Sequence, residues 1–200
     1  MADDEFYPFD LYFQYQIRYM YAGIEATMTN EAVHLCVLGL SVYTEVLGGL
    51  VTGNLKVPGN ERKNYESFLP YLGSPYVELD KEMKLHQMNL YSVVRSKLVH
   101  EFAPKPSFAY WLNPEVTQKP GIVYNFGDSI RLDGHYDKGA VNFPPPDHLN
   151  FNVKEYYRDF KDGIEKYHSE LRAEMKIEAG PNQRPLFYNF MKATVIGISL

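Results

Sequence analysis

The stretch that decides the fold is YSVVRSKLVHEF, residues 91–102. Apolar side chains recur at helical spacing from Leu79 onward, so the sequence predicts one long helix over about residues 79–102. Near the end of this helix Arg95 stands five residues before His100. Five residues of an ideal helix turn the chain by about 500°, which leaves the two side chains about 140° apart around the axis. They converge on one ligand only where the helix end is distorted, or where a second copy of the chain contributes to the same cleft.

Arginine and histidine are the residue types that metal-free RNA cleavage needs. The reaction requires a base for the 2′-hydroxyl, an acid for the 5′-oxygen and a cation beside the phosphorane. Imidazole titrates near neutrality and serves as base or acid, and the guanidinium fork binds phosphate oxygens. Two copies of His100 in a two-fold dimer would supply acid and base together. The structural alternative is that Arg95 pairs with a carboxylate and His100 complements a helix C-terminus.

Three further helices are predicted before this one, over about residues 11–27, 30–50 and 61–69. Asn30 is the predicted N-cap of the second helix, and Gly48-Gly49 mark its fraying end. The third is expected to stop at Pro70. On the second helix, Glu45 is placed to orient Arg95 by a bidentate pair. A partly exposed carboxylate at a helix end explains Glu45 equally well.

After residue 104 the pattern changes to alternating β-forming residues. Strands are predicted over 107–112, 121–126 and 129–132, as a small antiparallel meander or hairpin. The proline-rich residues 142–150 are predicted to be an extended connector. Asn152 is the predicted cap of a last helix over about 153–176. Its expected buried face consists of Tyr156, Phe160, Ile164, Tyr167 and Leu171.

These elements predict a mainly α fold, an up-and-down bundle of four or five helices with a small antiparallel β insertion before the last helix. Residues 1–104 form its helical core, and residues 105–150 form a β-rich insertion or lid. Residues 151–180 are the last bundle helix. Residues 181–200 are a loop followed by an apolar C-terminal tail.

The charge balance limits the partners that this chain can have. Its net charge is −5 and its pI about 5.7, whereas proteins that hold duplex DNA over a broad surface are usually basic. Any RNA contact must come from a local group of cations, for which Lys97, Arg62 and Lys63 are the candidates. A solvated helix face explains those three residues equally well. The 17 tyrosines and 12 phenylalanines fit either a tyrosine-rich core or an interface or stacking surface.

The remaining composition points to a soluble protein without a cofactor. Cys36 is the single cysteine, which excludes an internal disulfide and a cysteine zinc site, and its apolar surroundings predict a buried thiol. Residues 32–51 are about long enough to span a bilayer, but Glu45 inside them favours a buried bundle helix. The acidic N-terminus lacks the features of a secretory signal, so the cytoplasm is the expected compartment. No metal is predicted, since the spacing of the candidate ligands matches no known pattern; these are His135, Asp137, Asp147 and His148.

The order of the motifs resembles the HEPN superfamily. A helix carries Glu45 and then LGGL at residues 47–50, a short arginine-aromatic helix ends in Pro70-Tyr71, and Arg95-x4-His100 follows before a proline turn. The resemblance covers about residues 10–105. It implies a helical bundle that acts as a dimeric, metal-independent ribonuclease. By this resemblance Arg95 and His100 are catalytic and Ser96 assists them; the family more often has Asn, Asp or His at the position after the arginine.

Two functional interpretations remain open. In the first, the chain is a metal-independent endoribonuclease, a toxin or defence effector that cuts single-stranded RNA by 2′-hydroxyl attack. Its partners would be RNA, a second copy of the chain and an antitoxin. In the second, it is a non-catalytic HEPN-like module that binds RNA or a protein. The intact Arg-x4-His motif favours the first, and the acidic pI and Ser96 favour the second. Neither interpretation involves a membrane or duplex DNA.

Overall fold

The computed structural model describes residues 7–96, 108–111, 122–125, 148–176 and 183–194. Within these residues the protein is mainly helical. The helical segments in chain order are α1 (Pro8–Tyr12), π1 (Phe13–Ile17), α2 (Arg18–Thr29), α3 (Val33–Thr52), α4 (Glu61–Leu72), α5 (Ser74–Leu85), π2 (Tyr91–Ser96), α6 (Val153–Met175) and α7 (Pro185–Thr194). The strands are β1 (Phe108–Trp111), β2 (Ile122–Asn125) and β3 (His148–Asn152).

The centre of the fold is α3, which packs against α4 along one side. A Cβ atom on Gly48 would lie 1.6 Å from the backbone oxygen of Asn64, so only glycine lets the two helices touch. The prediction that Gly48-Gly49 fray the helix is therefore wrong. The helix continues to Thr52 and ends at Gly53, whose φ of 70° is left-handed. Close backbone packing outweighs the low helix propensity of glycine here.

By length and composition alone, α3 is long and apolar enough to cross a membrane. No other helix among the described residues meets these two criteria. Half of its apolar window is buried inside the protein, and the core helix of a soluble protein passes the same test. Cys36 is a free and fully buried thiol on this helix, as the sequence predicts.

Two predicted helix boundaries are wrong. Asn30 does not cap α3 but closes α2, where its side-chain amide donates to the backbone oxygen of Ala26 at 2.8 Å. The first helical stretch therefore ends at Thr29 and not at the predicted residue 27. Pro70 lies inside α4, which continues to Leu72. Leu72 is buried, and its packing favours continuation of the helix past Pro70. The helix then ends at Gly73.

The single helix predicted over residues 79–102 is also wrong, because α5 ends at Leu85 and a new segment, π2, follows. Gln87 adopts a left-handed φ of 58°, which breaks the helix. The backbone N–H of Leu90 then donates to Asp80 Oδ1 at 3.0 Å. Asn89 Oδ1 accepts from the backbone N–H of Ser92 at 2.8 Å. These side chains stabilise the break and the restart; residues 97–102 lie outside the described part.

The strands form a mixed sheet in the order β1-β3-β2. The predicted strands at 107–112 and 121–126 are present as β1 and β2, and the one at 129–132 lies outside the described residues. The antiparallel meander is wrong, since β1 pairs with β3 in parallel and β2 pairs with β3 antiparallel. The central strand comes from the end of the predicted connector. Its sequence, HLNFN at residues 148–152, carries a weak β signal because of its polar residues.

Helix α6 follows the sequence prediction closely. Asn152 Oδ1 accepts from the backbone N–H of Glu155 at 3.3 Å, which confirms the N-cap. All five residues predicted for its inner face are buried; they are Tyr156, Phe160, Ile164, Tyr167 and Leu171. An amphipathic pattern over 23 residues leaves little choice of which face turns inward.

The expected C-terminal tail instead contains the helix α7. Glu174 of α6 accepts from the backbone N–H groups of Leu186 and Phe187 at 3.2 and 2.9 Å. This carboxylate satisfies the free donors at the N-terminus of α7. Asn189 then donates to the backbone oxygen of Val51 at 2.7 Å, and Phe190 is buried. The helix is therefore fixed to α6 and to the end of α3.

Candidate functional site

Arg95 lies in π2 and meets Glu45 of α3. Its Nε atom is 2.7 Å from Glu45 Oε2, and the two side chains are 19% and 15% exposed. The pairing predicted from the sequence is therefore present, although through Nε and not as a bidentate fork. Segments of π-helix are rare and occur often at functional sites, and this one carries the arginine of the Arg-x4-His motif.

The contact between the two charges is close but poorly aligned. Within the described residues, neither Arg95 Nε nor Glu45 Oε2 has a hydrogen-bond partner of regular geometry, although both atoms are buried. The attraction is thus mainly one of charge. A buried donor and acceptor that stay unsatisfied cost free energy, so this pair is not optimised for stability.

A second carboxylate, Glu61 at the start of α4, adds to the field around Arg95. Burial raises the pKa of Glu45, Arg95 lowers it and the charge of Glu61 raises it, and the net shift is upward. The pKa of Glu61 is lowered by backbone N–H groups, including that of Gly59 at 3.2 Å, and to a lesser degree by Arg95. The charge of Arg95 therefore acts on both carboxylates, although only Glu45 forms an ion pair with it among the described residues.

Tyr91 completes this group at the other end of π2. Its ring contacts that of Tyr65 edge to face, with centroids 5.9 Å apart. Burial raises the pKa of the Tyr91 hydroxyl, while Arg95 lowers it. Neither Tyr91 nor Glu61 was among the sequence candidates. Tyr91 stands four residues before Arg95, a helical spacing that would have placed it on the same face.

Of the other predicted site residues, the structure describes some and not others. His100 and Lys97 lie outside the described residues, as does the side chain of Ser96 at the end of π2. Arg62 pairs with Glu66 at 2.7 Å, and Lys63 is exposed on the same helix. Within the described chain, no hydrogen bond or ion pair joins either residue to Arg95. Among the described residues, the structure thus brings Glu45 to Arg95 but does not join Arg62 or Lys63 to that pair.

A charged cluster that the sequence did not reveal lies around Asp10 of α1. Its buried carboxylate accepts from the backbone N–H of Tyr7 at 2.8 Å and meets His168 Nε2 at 2.6 Å. Arg172 donates to both of its oxygens, from Nη2 at 3.0 Å and from Nε at 3.2 Å. The His168 ring stacks on Phe13 with centroids 4.2 Å apart. No local motif could show this cluster, since His168 stands 158 residues after Asp10.

The Asp10 cluster and the Arg95 pair lie near different parts of α6, the cluster near His168 and the pair near Tyr156. Tyr156 near the start of α6 shares a hydrogen bond of 2.8 Å with Thr44, the residue before Glu45. His168 follows twelve residues later, about 18 Å further along a helix that rises ~1.5 Å per residue. The two groups therefore cannot act on one small ligand within a single copy of the chain.

The Arg95 site has the chemistry of an anion site held by acidic neighbours. A phosphate oxygen would compete with Glu45 and Glu61 for the guanidinium. Among the described residues, no group of three or more His, Cys, Asp and Glu side chains is suited to hold a metal ion. The metal candidates considered from sequence, His135, Asp137 and Asp147, lie outside the described part, as does the side chain of His148.

No family model, curated protein or solved structure matches this chain.

Proposed function

We propose that the chain is an HEPN-type, metal-independent endoribonuclease that cuts single-stranded RNA by attack of the 2′-hydroxyl. Arg95 binds the phosphate and His100 transfers protons, with Ser96 assisting. The observation that carries the proposal is the ion pair of 2.7 Å that holds Arg95 of the Arg-x4-His motif against Glu45. A homodimer brings two copies of His100 to one cleft, which supplies both the base and the acid.

The contact through Nε suits this role for Arg95. It leaves the two terminal Nη groups, which form the fork that binds phosphate oxygens. Glu45 fixes the direction of the guanidinium without occupying that fork. Because the pair is poorly aligned, an incoming phosphate displaces little that is favourable. We therefore assign Glu45 as a positioning residue.

The second candidate is a non-catalytic HEPN-like module that binds RNA or a protein. Two carboxylates, Glu45 and Glu61, act on Arg95, and the net charge of the chain is −5. Both facts oppose the approach of a phosphate. In this alternative the Arg95–Glu45 pair only joins π2 to α3.

Cleavage assays with single-site variants separate the two candidates. Purified protein is incubated with labelled single-stranded RNA of mixed sequence in EDTA, beside Arg95→Ala and His100→Ala. Loss of a proton-transfer or phosphate-binding group is expected to lower the rate at least ~100-fold. The matched controls are Arg158→Ala and His86→Ala, which remove an exposed arginine and an exposed histidine elsewhere and should stay within about twofold of the wild type.

The products and the pattern of loss decide the outcome. A 2′,3′-cyclic phosphate end, found by mass spectrometry, together with loss in both variants supports the enzyme. Cleavage that persists in Arg95→Ala and His100→Ala overturns it. A wild-type protein that binds RNA or a protein without cutting also overturns it, in favour of the second candidate.

A further inference from the structure

One face of the first helical stretch exposes large apolar side chains. Leu11, Tyr15 and Tyr19 are 46%, 54% and 72% exposed. They are spaced four residues apart along α1, π1 and α2, which places them on one side of the helix. We call these three residues the aromatic face. Exposed apolar side chains in a contiguous row mark a binding surface more often than scattered single ones do.

The two tyrosines of this face are exceptional for the protein. Among the tyrosines whose side chains the structure describes, only Tyr15 and Tyr19 are exposed. Of the others, four are completely buried in the core; these are Tyr65, Tyr76, Tyr156 and Tyr167. The sequence left open whether the tyrosines form a core or a stacking surface, and the structure shows a tyrosine-rich core with two tyrosines exposed outside it.

The charges along the aromatic face favour an anionic partner. The chain has 25 acidic residues, but residues 11–24 contain none, and their one charged side chain is Arg18. Arg18 is exposed and lies beside both tyrosines in the helix. At the first turn, the carboxylate of Asp10 is buried and bound to Arg172. At the other end, Glu25 accepts the Tyr157 hydroxyl at 2.8 Å.

The packed neighbour α6 also brings acidic side chains to this part of the molecule. Asp162 and Glu165 act on the hydroxyl of Tyr21, two residues past the aromatic face and a half-buried position. Tyr157 and His168, which flank them in α6, contact Tyr21 and Phe13. The two carboxylates therefore lie alongside the aromatic face, on the neighbouring helix. Two exposed aromatic rings with an arginine between them, on a helical stretch that has no carboxylate of its own over residues 11–24, fit a single nucleic-acid strand. Its bases stack on rings and its phosphates attract the cation.

We infer that Tyr15 and Tyr19 stack on bases of single-stranded RNA while Arg18 binds an adjacent phosphate. Side chains four residues apart on a helix have Cβ atoms about 6 Å apart, a distance that neighbouring bases of an extended strand can span. The inference rests in part on the proposed function, since it names a second contact for the same RNA substrate. A protein surface, above all a second copy of this chain, is the competing occupant.

RNA binding by tyrosine variants tests the inference. Anisotropy of a labelled oligouridylate is measured with His100→Ala protein, so that cleavage cannot interfere. Adding Tyr15→Ala and Tyr19→Ala is expected to raise Kd at least about tenfold, because each lost stacking contact weakens binding severalfold. Tyr15→Phe with Tyr19→Phe keeps the rings and should stay within about twofold. Arg18→Ala should reduce the slope of log Kd against log salt by about one.

The matched control removes two other exposed apolar side chains, Leu35 and Leu85, which are 54% and 83% exposed. Leu35→Ala with Leu85→Ala should leave Kd unchanged. Unchanged RNA affinity in the Tyr15/Tyr19 double alanine overturns the inference, whatever the cleavage assay shows. Loss of dimerisation in that variant with unchanged RNA affinity also overturns it, in favour of a contact between copies. Binding that depends on the tyrosines in a wild-type protein that never cuts RNA supports this inference and refutes the proposed function.

Discussion

Asp10 and Glu45 are two carboxylates with little solvent exposure that meet basic side chains, and they differ in how well they are satisfied. Asp10 takes part in four polar contacts, from Tyr7, His168 and Arg172. Among the described residues, Glu45 meets Arg95 in an ion pair that lacks hydrogen-bond alignment. A fully satisfied buried group stabilises a fold, whereas an unsatisfied one is a candidate for function.

The pKa values of the two groups express the same difference. Burial raises the pKa of Asp10, but its hydrogen bonds and Arg172 more than compensate, so the net shift is downward. Burial also raises the pKa of Glu45, and Arg95 does not compensate, partly because Glu61 opposes it. Ionised Asp10 therefore stabilises the folded state, while ionised Glu45 is a cost to it.

The surroundings of Asp10 explain why the protein keeps it. Phe9, one residue before Asp10, and Phe13, three residues after it, pack against Phe190 of α7 with centroids 6.2 and 6.4 Å apart. The carboxylate itself joins α1 to α6. The cluster thus joins the start of the described chain to α6, and the neighbouring phenylalanines join it to α7. We regard it as a structural clamp and the Glu45–Arg95 pair as the functional group.

Asp10→Asn is expected to have the largest effect on stability. The amide keeps the shape but cannot accept from His168 and Arg172 together, and it leaves a guanidinium without its counterion. We expect a loss of about 2–3 kcal/mol in the free energy of unfolding at pH 7, less than for a fully buried pair because both partners reach solvent. Urea unfolding measures it. Glu78→Gln, at an exposed position on α5, is the control and should change little; a loss below ~0.5 kcal/mol for Asp10→Asn would refute the clamp.

The pH dependence of that difference should follow the downward shift at Asp10. A carboxylate whose folded pKa lies below its ordinary value of 3.8 contributes stability that is present above that value. The contribution is lost as the pH falls through the folded pKa. The stability difference between the wild type and Asp10→Asn should therefore shrink as the pH falls below about 4. Unfolding curves at several pH values measure it, and a gap that widens as the pH falls below about 4 would contradict the assignment.

Sequence patterns predicted mainly those features that depend on a single helix or strand. The buried face of α6 follows from its periodicity, and its cap from Asn152 before a helical run. The β-forming residues of β1 and β2 locate those strands. The contact between Glu45 and Arg95 was also predicted, although it joins two elements, α3 and π2.

Sequence patterns failed where distant segments decide the structure. The break between α5 and π2 depends on Asp80 holding the backbone of Leu90, and the pairing of β3 depends on partners on either side of it in the sheet. The Asp10 cluster joins residues at opposite ends of the chain. Gly48 looked like the end of a helix because its contact with Asn64 has no signature in the local pattern.

Arg172→Lys tests how much of the clamp is due to the guanidinium fork. Lysine keeps the charge but offers a single point of contact in place of the two donors that bind Asp10. We expect a loss of about 1 kcal/mol, smaller than for Asp10→Asn because an ion pair remains. Thermal or urea unfolding measures it. Arg158→Lys, which alters a more exposed pair with Glu155, should have no measurable effect; equal losses in both would show that the fork at Asp10 has no special role.

Glu45→Gln should have the smallest effect on stability and yet change activity. Because the folded pKa of Glu45 is raised above 4.5, its favourable contribution is fully present below that value and is lost as the pH rises through the folded pKa. Glutamine resembles the protonated form, so stability at pH 7 should stay within about 0.5 kcal/mol of the wild type.

The activity of Glu45→Gln separates a positioning role from a structural one. A neutral side chain orients Arg95 less well, so kcat for RNA cleavage should fall about tenfold with little change in KM. The acid limb of the pH profile that Glu45 contributes should disappear, and Glu45→Asp should restore part of both. If Glu45→Gln instead loses as much stability as Asp10→Asn and keeps its kcat, the pair is a second clamp. The contrast between a satisfied and an unsatisfied carboxylate would then no longer identify the functional site.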